Sequence, residues 1–344
     1  MAGPYTPDDI TVIGLPEVVR RRPGMYLGDL ANGAGRHRML WEVVGHAVDE
    51  HDRFGTTGHV RITLEGDTAT VDTDGRGLPL DEVELLAMRM NTHPQARIPR
   101  VVHLVGASLA LANALSSRFE IEIRRDGRAH VQRYERGLGI GPLEDRGATT
   151  RTGTRVTFEP DVTVLLPHPW DVAAIAAHAR ELAALCAPLT FIVDGEAACY
   201  PDGLADHVRH LTRGRRIVEP LHVRGEVDGI RVEAAIAWVE GDAPARLEGH
   251  VNFHRCTGAH VDGLRAGIRR ALARRLGRQP TAGVERGLVA VVHAVLARAR
   301  FTSERWDACT NAEAGPAVQH VVEEGIDAAA TSHPTLDALL ARLA

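Results

Sequence analysis

Apolar and polar positions alternate with helical spacing most clearly around Trp41–Glu50. Leu40, Val44, Ala47 and Val48 form one stripe, and Glu42, His46, Asp49 and Glu50 recur at helical intervals on the other side. This pattern predicts a helix from Arg36 to Arg53 with one apolar and one polar face. A strand pattern follows in Val71–Leu80 (VDTDGRGLPL), which starts in alternation and runs into Asp74-Gly75-Arg76-Gly77. Glycines at a strand end let a backbone approach a ligand closely. A carboxylate-bearing helix answering a glycine-rich strand end predicts a small-molecule pocket.

The same patterns order the rest of the chain. Residues 1–13 read as an arm in which Pro4 and Pro7 oppose helix. A helix at Leu15–Arg22 stops at Pro23-Gly24, and a turn covers Met25–Asp29. Strands His59–Leu64 and Thr68–Asp72 flank Glu65-Gly66-Asp67, a hairpin signal. Helices are expected at Asp81–Met90 and Val105–Ser116, separated by the Pro- and Arg-bearing loop Asn91–Arg100, and strands at Phe119–Arg124, Ala129–Glu135 and Thr154–Phe158. An alanine-rich helix, Pro169–Cys186 with Asp171 as N-cap, leads to the strand Thr190–Val193. Arg213-Gly214-Arg215-Arg216 marks a junction, dividing 1–213 from 214–344. Beyond it come strands Leu221–Arg224, Arg231–Val239 and His250–His254, a basic helix Val261–Arg275, a strand Gly287–Leu296 and a last pair of helices.

Composition narrows the function. At 344 residues with 44% hydrophobic positions, two domains with real cores are expected. A formal net charge of −5 argues against a chain that coats nucleic acid. Every cation is arginine, so any mechanism that needs a lysine is excluded. Cys186, Cys199, Cys256 and Cys309 lie far apart without paired spacing, which suggests neither a zinc site nor a disulfide framework. No signal peptide and no apolar run of about 18 residues is present, so a soluble, cytoplasmic protein without membrane contact is expected.

Three stretches carry a resemblance: Arg20-Arg21-Arg22-Pro23-Gly24-Met25-Tyr26-Leu27-Gly28-Asp29, then Glu42-Val43-Val44 with Ala47-Val48-Asp49-Glu50, then Asp74-Gly75-Arg76-Gly77-Leu78-Pro79. Together with Asn113-Ala114-Leu115-Ser116 and Thr152-Gly153-Thr154, they closely resemble the ATPase half of the gyrase B family. Gly258–Arg270 and Phe301-Thr302-Ser303 resemble that family's transducer domain. The resemblance implies an α+β chain: a GHKL (Bergerat-type) α/β sandwich followed by a transducer of ribosomal-S5-like fold, dimerising when ATP binds with Mg²⁺. It makes Glu42 the general base that polarises water. It sets Asp49, Glu50 and Arg76 beside the adenine, and makes Gly77, Pro79 and Thr154 base-pocket residues. Arg125 resembles the arginine over the ligand edge, and Tyr5 the arm tyrosine that reaches the partner's nucleotide.

The departures fall on the chemistry. His46 stands where the family has a magnesium-binding asparagine, and imidazole is a poor ligand for a hard cation. Thr73 stands where the family has the aspartate that accepts the adenine amino hydrogen; a hydroxyl accepts without charge. The phosphate lid, Val102–Ser108, retains one glycine, Gly106. Glu304-Arg305-Trp306 replaces the transducer's Gln-Thr-Lys loop. These changes predict weakened ATP and Mg²⁺ use and impaired hydrolysis. In a chain read to Ala344, the cleavage domain of a topoisomerase is not expected.

Other signals have two readings each. His46 with Glu42 and Glu50 suits acid–base chemistry on a non-nucleotide metabolite, or His46 fills the space of an asparagine. His254, Cys256 and His260 match no metal template and read as surface scatter. Arg265, Arg269, Arg270, Arg274 and Arg275 suit contact with DNA phosphates or form a solvated face. Three functions compete: a ligand-gated, dimerising binding module; an enzyme redirected through Glu42 and His46; and a protein that captures a gyrase inhibitor through Asp49, Arg76 and Arg125 or pairs with a true gyrase chain.

Overall fold

The computed structural model describes residues 14–30, 33–88, 108–215, 217, 219–280, 282–302 and 306–329. These fall into two compact units, one drawing on 14–50, 60–88 and 108–172 and the other on 51–59 and 173–329.

The first unit opens with α1 (Leu15–Arg21) and α2 (Gly24–Leu27). The sequence predicts a turn at α2. Pro23, with φ of −61°, already holds a helical angle and its carbonyl accepts from the Tyr26 and Leu27 amides, so one helical turn forms instead. The polar-faced helix is α3 (Ala34–Phe54), 21 residues long. The hairpin β1 (His59–Glu65) and β2 (Thr68–Thr73) follows, then α4 (Val83–Met88) and α5 (Ser108–Ala114). Strands β3 (Ser116–Arg125), β4 (Arg128–Glu135), β5 (Leu138–Gly139), β6 (Glu144–Ala148) and β7 (Gly153–Pro160) complete the unit. α5 ends earlier than expected, because Ser116 has already entered β3. The predicted loop Asn91–Arg100 lies outside the described residues.

The strands of this unit run β5-β4-β3-β7-β2-β1, every pair antiparallel, with β6 also on β4. Alternation gives the sheet two faces. Ile62, Val71, Val156, Phe158, Phe119, Ile121 and Ile123 are buried on one face. Leu40, Val44, Ala47 and Val48, the expected stripe of α3, are buried in the same unit. The other face is polar and cross-linked: Thr70 to Thr157 at 3.2 Å, Arg155 to Asp72 at 3.1 Å and to Glu122 at 3.5 Å, Arg133 to Glu120 at 2.7 Å. Successive residues of β2 therefore face opposite environments, with Val71 and Thr73 on the core side and Asp72 on the polar side.

The second unit contains α6 (Val172–Leu185), the hairpin β8 (Thr190–Val193) and β9 (Glu196–Cys199), and α7 (Leu204–Leu211). It continues with β10 (Leu221–Val227), β11 (Ile230–Trp238), β12 (Arg246–Val251), β13 (His254–Arg255) and β14 (Thr257–Gly258). Then come α8 (Ala259–Leu276), β15 (Leu288–Val295), β16 (Ala308–Cys309) and α9 (Ala314–Ala329). The main sheet runs β10-β11-β15-β12-β13, with β12 and β15 parallel. The predicted strand His250–His254 is broken. Asn252 and Phe253 take positive φ, and the Asn252 side chain is tied at 2.8 Å to both the carbonyl and the amide of Leu296. Among the described residues no helix is long and apolar enough to cross a membrane.

His260 and Cys256 are interior, not surface scatter: α8 begins at Ala259 and turns His260 inward, where its Nε2 lies 3.9 Å from the Cys256 sulfur. Among the described residues no three His, Cys, Asp or Glu side chains are placed to hold a metal ion. His250 and His293 are register partners on β12 and β15, and both are buried. Burial lowers His260 to about 4 and His293 to about 3.

The close approach at Gly153 and the buried imidazoles can each be tested. Gly153 has φ of +110°, and a Cβ there would lie 1.8 Å from the Thr73 carbonyl oxygen. Gly153→Ala is expected to destabilise the protein by about 3 kcal/mol or more, measured by urea unfolding; an unchanged midpoint contradicts the close approach. The two lowered imidazoles mean that the unfolded chain takes up protons first. Their contribution is complete above the unfolded value of about 6.5 and is lost as pH falls toward the folded values. Between pH 7 and pH 5, unfolding followed by fluorescence of the buried Trp238 should lose about 2–4 kcal/mol of stability. A flat profile would show these imidazoles to be solvated.

Candidate functional site

The loop after β2 leaves the sheet at Asp74 and has no strand partner, so its backbone groups must be satisfied by side chains. Four elements supply them. The Gly75 amide donates to the Thr73 hydroxyl at 3.3 Å, and the Gly77 amide to Glu50 Oε1 on α3 at 2.9 Å. The Leu78 amide donates to the Thr154 hydroxyl on β7 at 3.1 Å, and Arg125 at the end of β3 donates to the Gly77 carbonyl at 2.7 Å. Gly77 is the stricter requirement of the two glycines, because its neighbours are backbone. A Cβ on Gly75 would lie 2.6 Å from Glu50 Oε1, and one on Gly77, whose φ is +80°, would lie 2.7 Å from the Arg124 carbonyl oxygen.

These contacts bring Glu50, Thr73, Gly77, Thr154 and Arg125 into one constellation. Glu50, Thr73 and Thr154 are buried. Among the described residues Glu50 Oε2 has no hydrogen-bond partner. Asp49, His46 and Pro79 are half-buried, and Arg76 is exposed. Glu42 is buried, and its Oε1 accepts from Arg38 Nε at 2.9 Å, one helical turn away. Tyr5, Gly106, the lid Val102–Ala107 and Glu304-Arg305 lie outside the described residues. Trp306 has a positive φ of 57° and sets its ring against His254, with centroids 4.5 Å apart.

The polar side of β2 holds a feature that spacing alone does not reveal. Asp72 is buried and meets three guanidiniums: Arg124, Arg151 at 3.2 Å and Arg155 at 3.1 Å. Burial pushes its carboxyl up, but the hydrogen bonds and charges of Arg124 and Arg155 outweigh that and hold it below its ordinary value. Arg124, itself buried, also donates to the Thr73 carbonyl at 3.1 Å. Arg20, from the arginine-rich motif, is structural: it reaches Asp161 at 2.6 Å and the Ala114 carbonyl at 3.1 Å. The arginines of α8 are ion-paired. Arg265 and Arg269 meet Glu285 at 3.5 and 3.0 Å, Arg270 meets Glu323 at 3.8 Å, and Arg274 meets Glu323 and Asp327 at 2.6 and 2.7 Å.

Comparison with known proteins agrees with this geometry. Residues 32–164 match the sequence profile described as histidine kinase-, DNA gyrase B-, and HSP90-like ATPase, and residues 203–343 match the profile of DNA gyrase B. The DNA gyrase B chain of Archaeoglobus fulgidus is 31% identical over 94% of this chain and 55% of its own length. That of Oryza sativa (chloroplastic/mitochondrial) is 28% identical over 99% of the chain and 52% of its own length. The chain thus spans about half the length of the curated relatives it matches. The crystal structure of DNA gyrase B from Myxococcus xanthus superposes with a TM-score of 0.78 at 28% identity, covering 95% of this chain and 99% of that one. The 43K ATPase domain of Thermus thermophilus gyrase B, solved in complex with an aminocoumarin, gives 0.77 at 27% identity, covering 95% and 94%. A GHKL-type sheet with the glycine loop pinned at its end, followed by a transducer-like α/β unit, makes this chain a DNA gyrase B-like ATPase and transducer region, related to the type II topoisomerases.

Proposed function

We propose that the protein is a nucleotide-gated binding module of the gyrase B type, one whose pocket holds a nucleoside triphosphate weakly, turns it over slowly or not at all, and couples occupancy to homodimer closure in the cytoplasm. In this reading residues 1–213 form the ATPase-like part and 214–344 the transducer-like part that relays the change. The observation that carries it is the side on which β2 presents its carboxylate. Asp72 lies on the polar face among three arginines, while Thr73, which is neutral, occupies the core-side position, where its hydroxyl accepts from the Gly75 amide. A base amino group would meet a hydroxyl instead of a charge, and its hydrogen bond would be weaker by about 1 kcal/mol.

The residues at the metal position do not fit Mg²⁺, since His46 offers a nitrogen to a cation that prefers oxygen. Glu50, Gly77, Thr154 and Arg125 would shape the pocket, with Asp49, Arg76 and Pro79 at its margin. The Thermus relative was solved in complex with an aminocoumarin, which supports a small-molecule ligand for a domain of this kind. If DNA is a partner, Arg270 would meet it first, since its side chain is 69% exposed and only loosely paired, whereas Arg269 is held by Glu285.

Calorimetric titration with Mg-AMPPNP tests this reading. Measurable but weak binding is expected, with Thr73→Asp tightening it about fivefold to tenfold. Binding that Thr73→Asp leaves unchanged would show that a carboxylate at this position plays no part in recognition.

A further inference from the structure

Arg38 and Glu42 lie one turn apart on α3, and Arg38 Nε donates to Glu42 Oε1 at 2.9 Å. The pair is largely removed from water: the side chains are 18% and 6% exposed. Local helix energetics do not account for it. In an isolated helix an acid N-terminal to a base is the favourable order, and here the order is reversed. An exposed pair at this spacing contributes only about 0.3–0.5 kcal/mol, whereas desolvating two charges costs more. The guanidinium stays charged throughout the working range of pH. A carboxylate held by such a partner is stabilised as the anion and gives up affinity for a proton.

We propose that Arg38 is a positioning residue that restrains Glu42, occupying one carboxylate oxygen and keeping the group a weak base, so that bound nucleotide persists. The proposal deepens the nucleotide-gated reading and rests on it for its functional meaning. In hydrolysis the water oxygen bonds to the terminal phosphorus. The bridging P–O bond breaks with its electron pair left on the diphosphate, and the water proton passes to the Glu42 carboxylate, which later releases it to solvent. Arg38 touches none of the reacting atoms and acts only through the carboxylate that takes the proton. A general base works best when its proton affinity matches the operating pH, and burial alone moves a carboxyl in that direction. The Arg38 cation opposes that move.

Arg38→Gln, Arg38→Lys and Arg38→Gln/Glu42→Gln test the restraint, with fold checked by circular dichroism and nucleotide affinity by Mg-AMPPNP calorimetry. Arg38→Gln is expected to hold affinity within about threefold and to raise kcat about tenfold or more at pH 7, with the acid limb of the kcat profile moving to higher pH by about one unit. Arg38→Lys should behave like the wild type, and the double variant should lose the gain. A folded, nucleotide-binding Arg38→Gln with unchanged or lower kcat and an unmoved profile overturns the proposal. Arg38→Met, which keeps the stem, serves the same comparison if Arg38→Gln does not fold. If no form of the protein binds Mg-AMPPNP, the nucleotide-gated reading fails, and the restraint is decided by carboxyl-¹³C titration of Glu42, assigned through Glu42→Gln. A midpoint higher in Arg38→Gln by about one unit sustains it, and equal midpoints overturn it.

Discussion

A loop that leaves a sheet without a partner strand has to find donors and acceptors elsewhere, and Asp74–Leu78 finds them on α3, β2, β3 and β7 at once. Glu50, Thr73, Arg125 and Thr154 each take one backbone group. Gly75 lies against the Glu50 carboxylate, and Gly77, at positive φ against the backbone of β3, leaves no room for a side chain. The positions of α3, the register of β2 on β7 and the end of β3 are thereby fixed relative to one another. The course of the loop is set by the scaffold around it.

Charge beside the loop is concentrated on the polar side of β2. One register position along β2 separates the core side from the polar side, so Asp72 and Thr73 meet opposite environments although they are neighbours in sequence. Three arginines then neutralise Asp72, and Arg124 ties the same cluster to the carbonyl of Thr73. On α3 a further arginine, Arg38, donates to the Glu42 carboxylate. In a chain without lysine, both devices use the guanidinium, which is planar, always charged and able to serve several acceptors.

Much of this is legible from the residues. The long helical period around Trp41–Glu50 and the glycine pattern after Val71 locate α3 and the pinned loop because each signal repeats over several turns or sits on residues with one backbone use. The resemblance to a known family groups Glu50, Gly77, Arg125 and Thr154, which lie in distant parts of the chain. Short strands are not legible: β5, β13, β14 and β16 have two residues each and carry no period. Nor is the Arg124–Asp72 cluster, since its partners are 52 residues apart and meet only through strand register. Arg38 is within reach, four residues before Glu42, but a charge pair at that spacing on a surface helix carries little meaning until both side chains are seen to be buried. His260 escapes the sequence for the complementary reason, that a polar residue near a helix start is exposed unless the helix turns it inward.

Single-turnover hydrolysis is the most direct test of a scaffold that holds nucleotide while its chemistry is restrained. Protein in excess over radiolabelled Mg-ATP is mixed, and bound ATP and ADP are separated over time. The account predicts that protein-bound ATP accumulates and remains intact for many minutes. Bound ATP converted to ADP within seconds would contradict it, because Glu42 would then be working as an unrestrained base in a fully functional gyrase-type site.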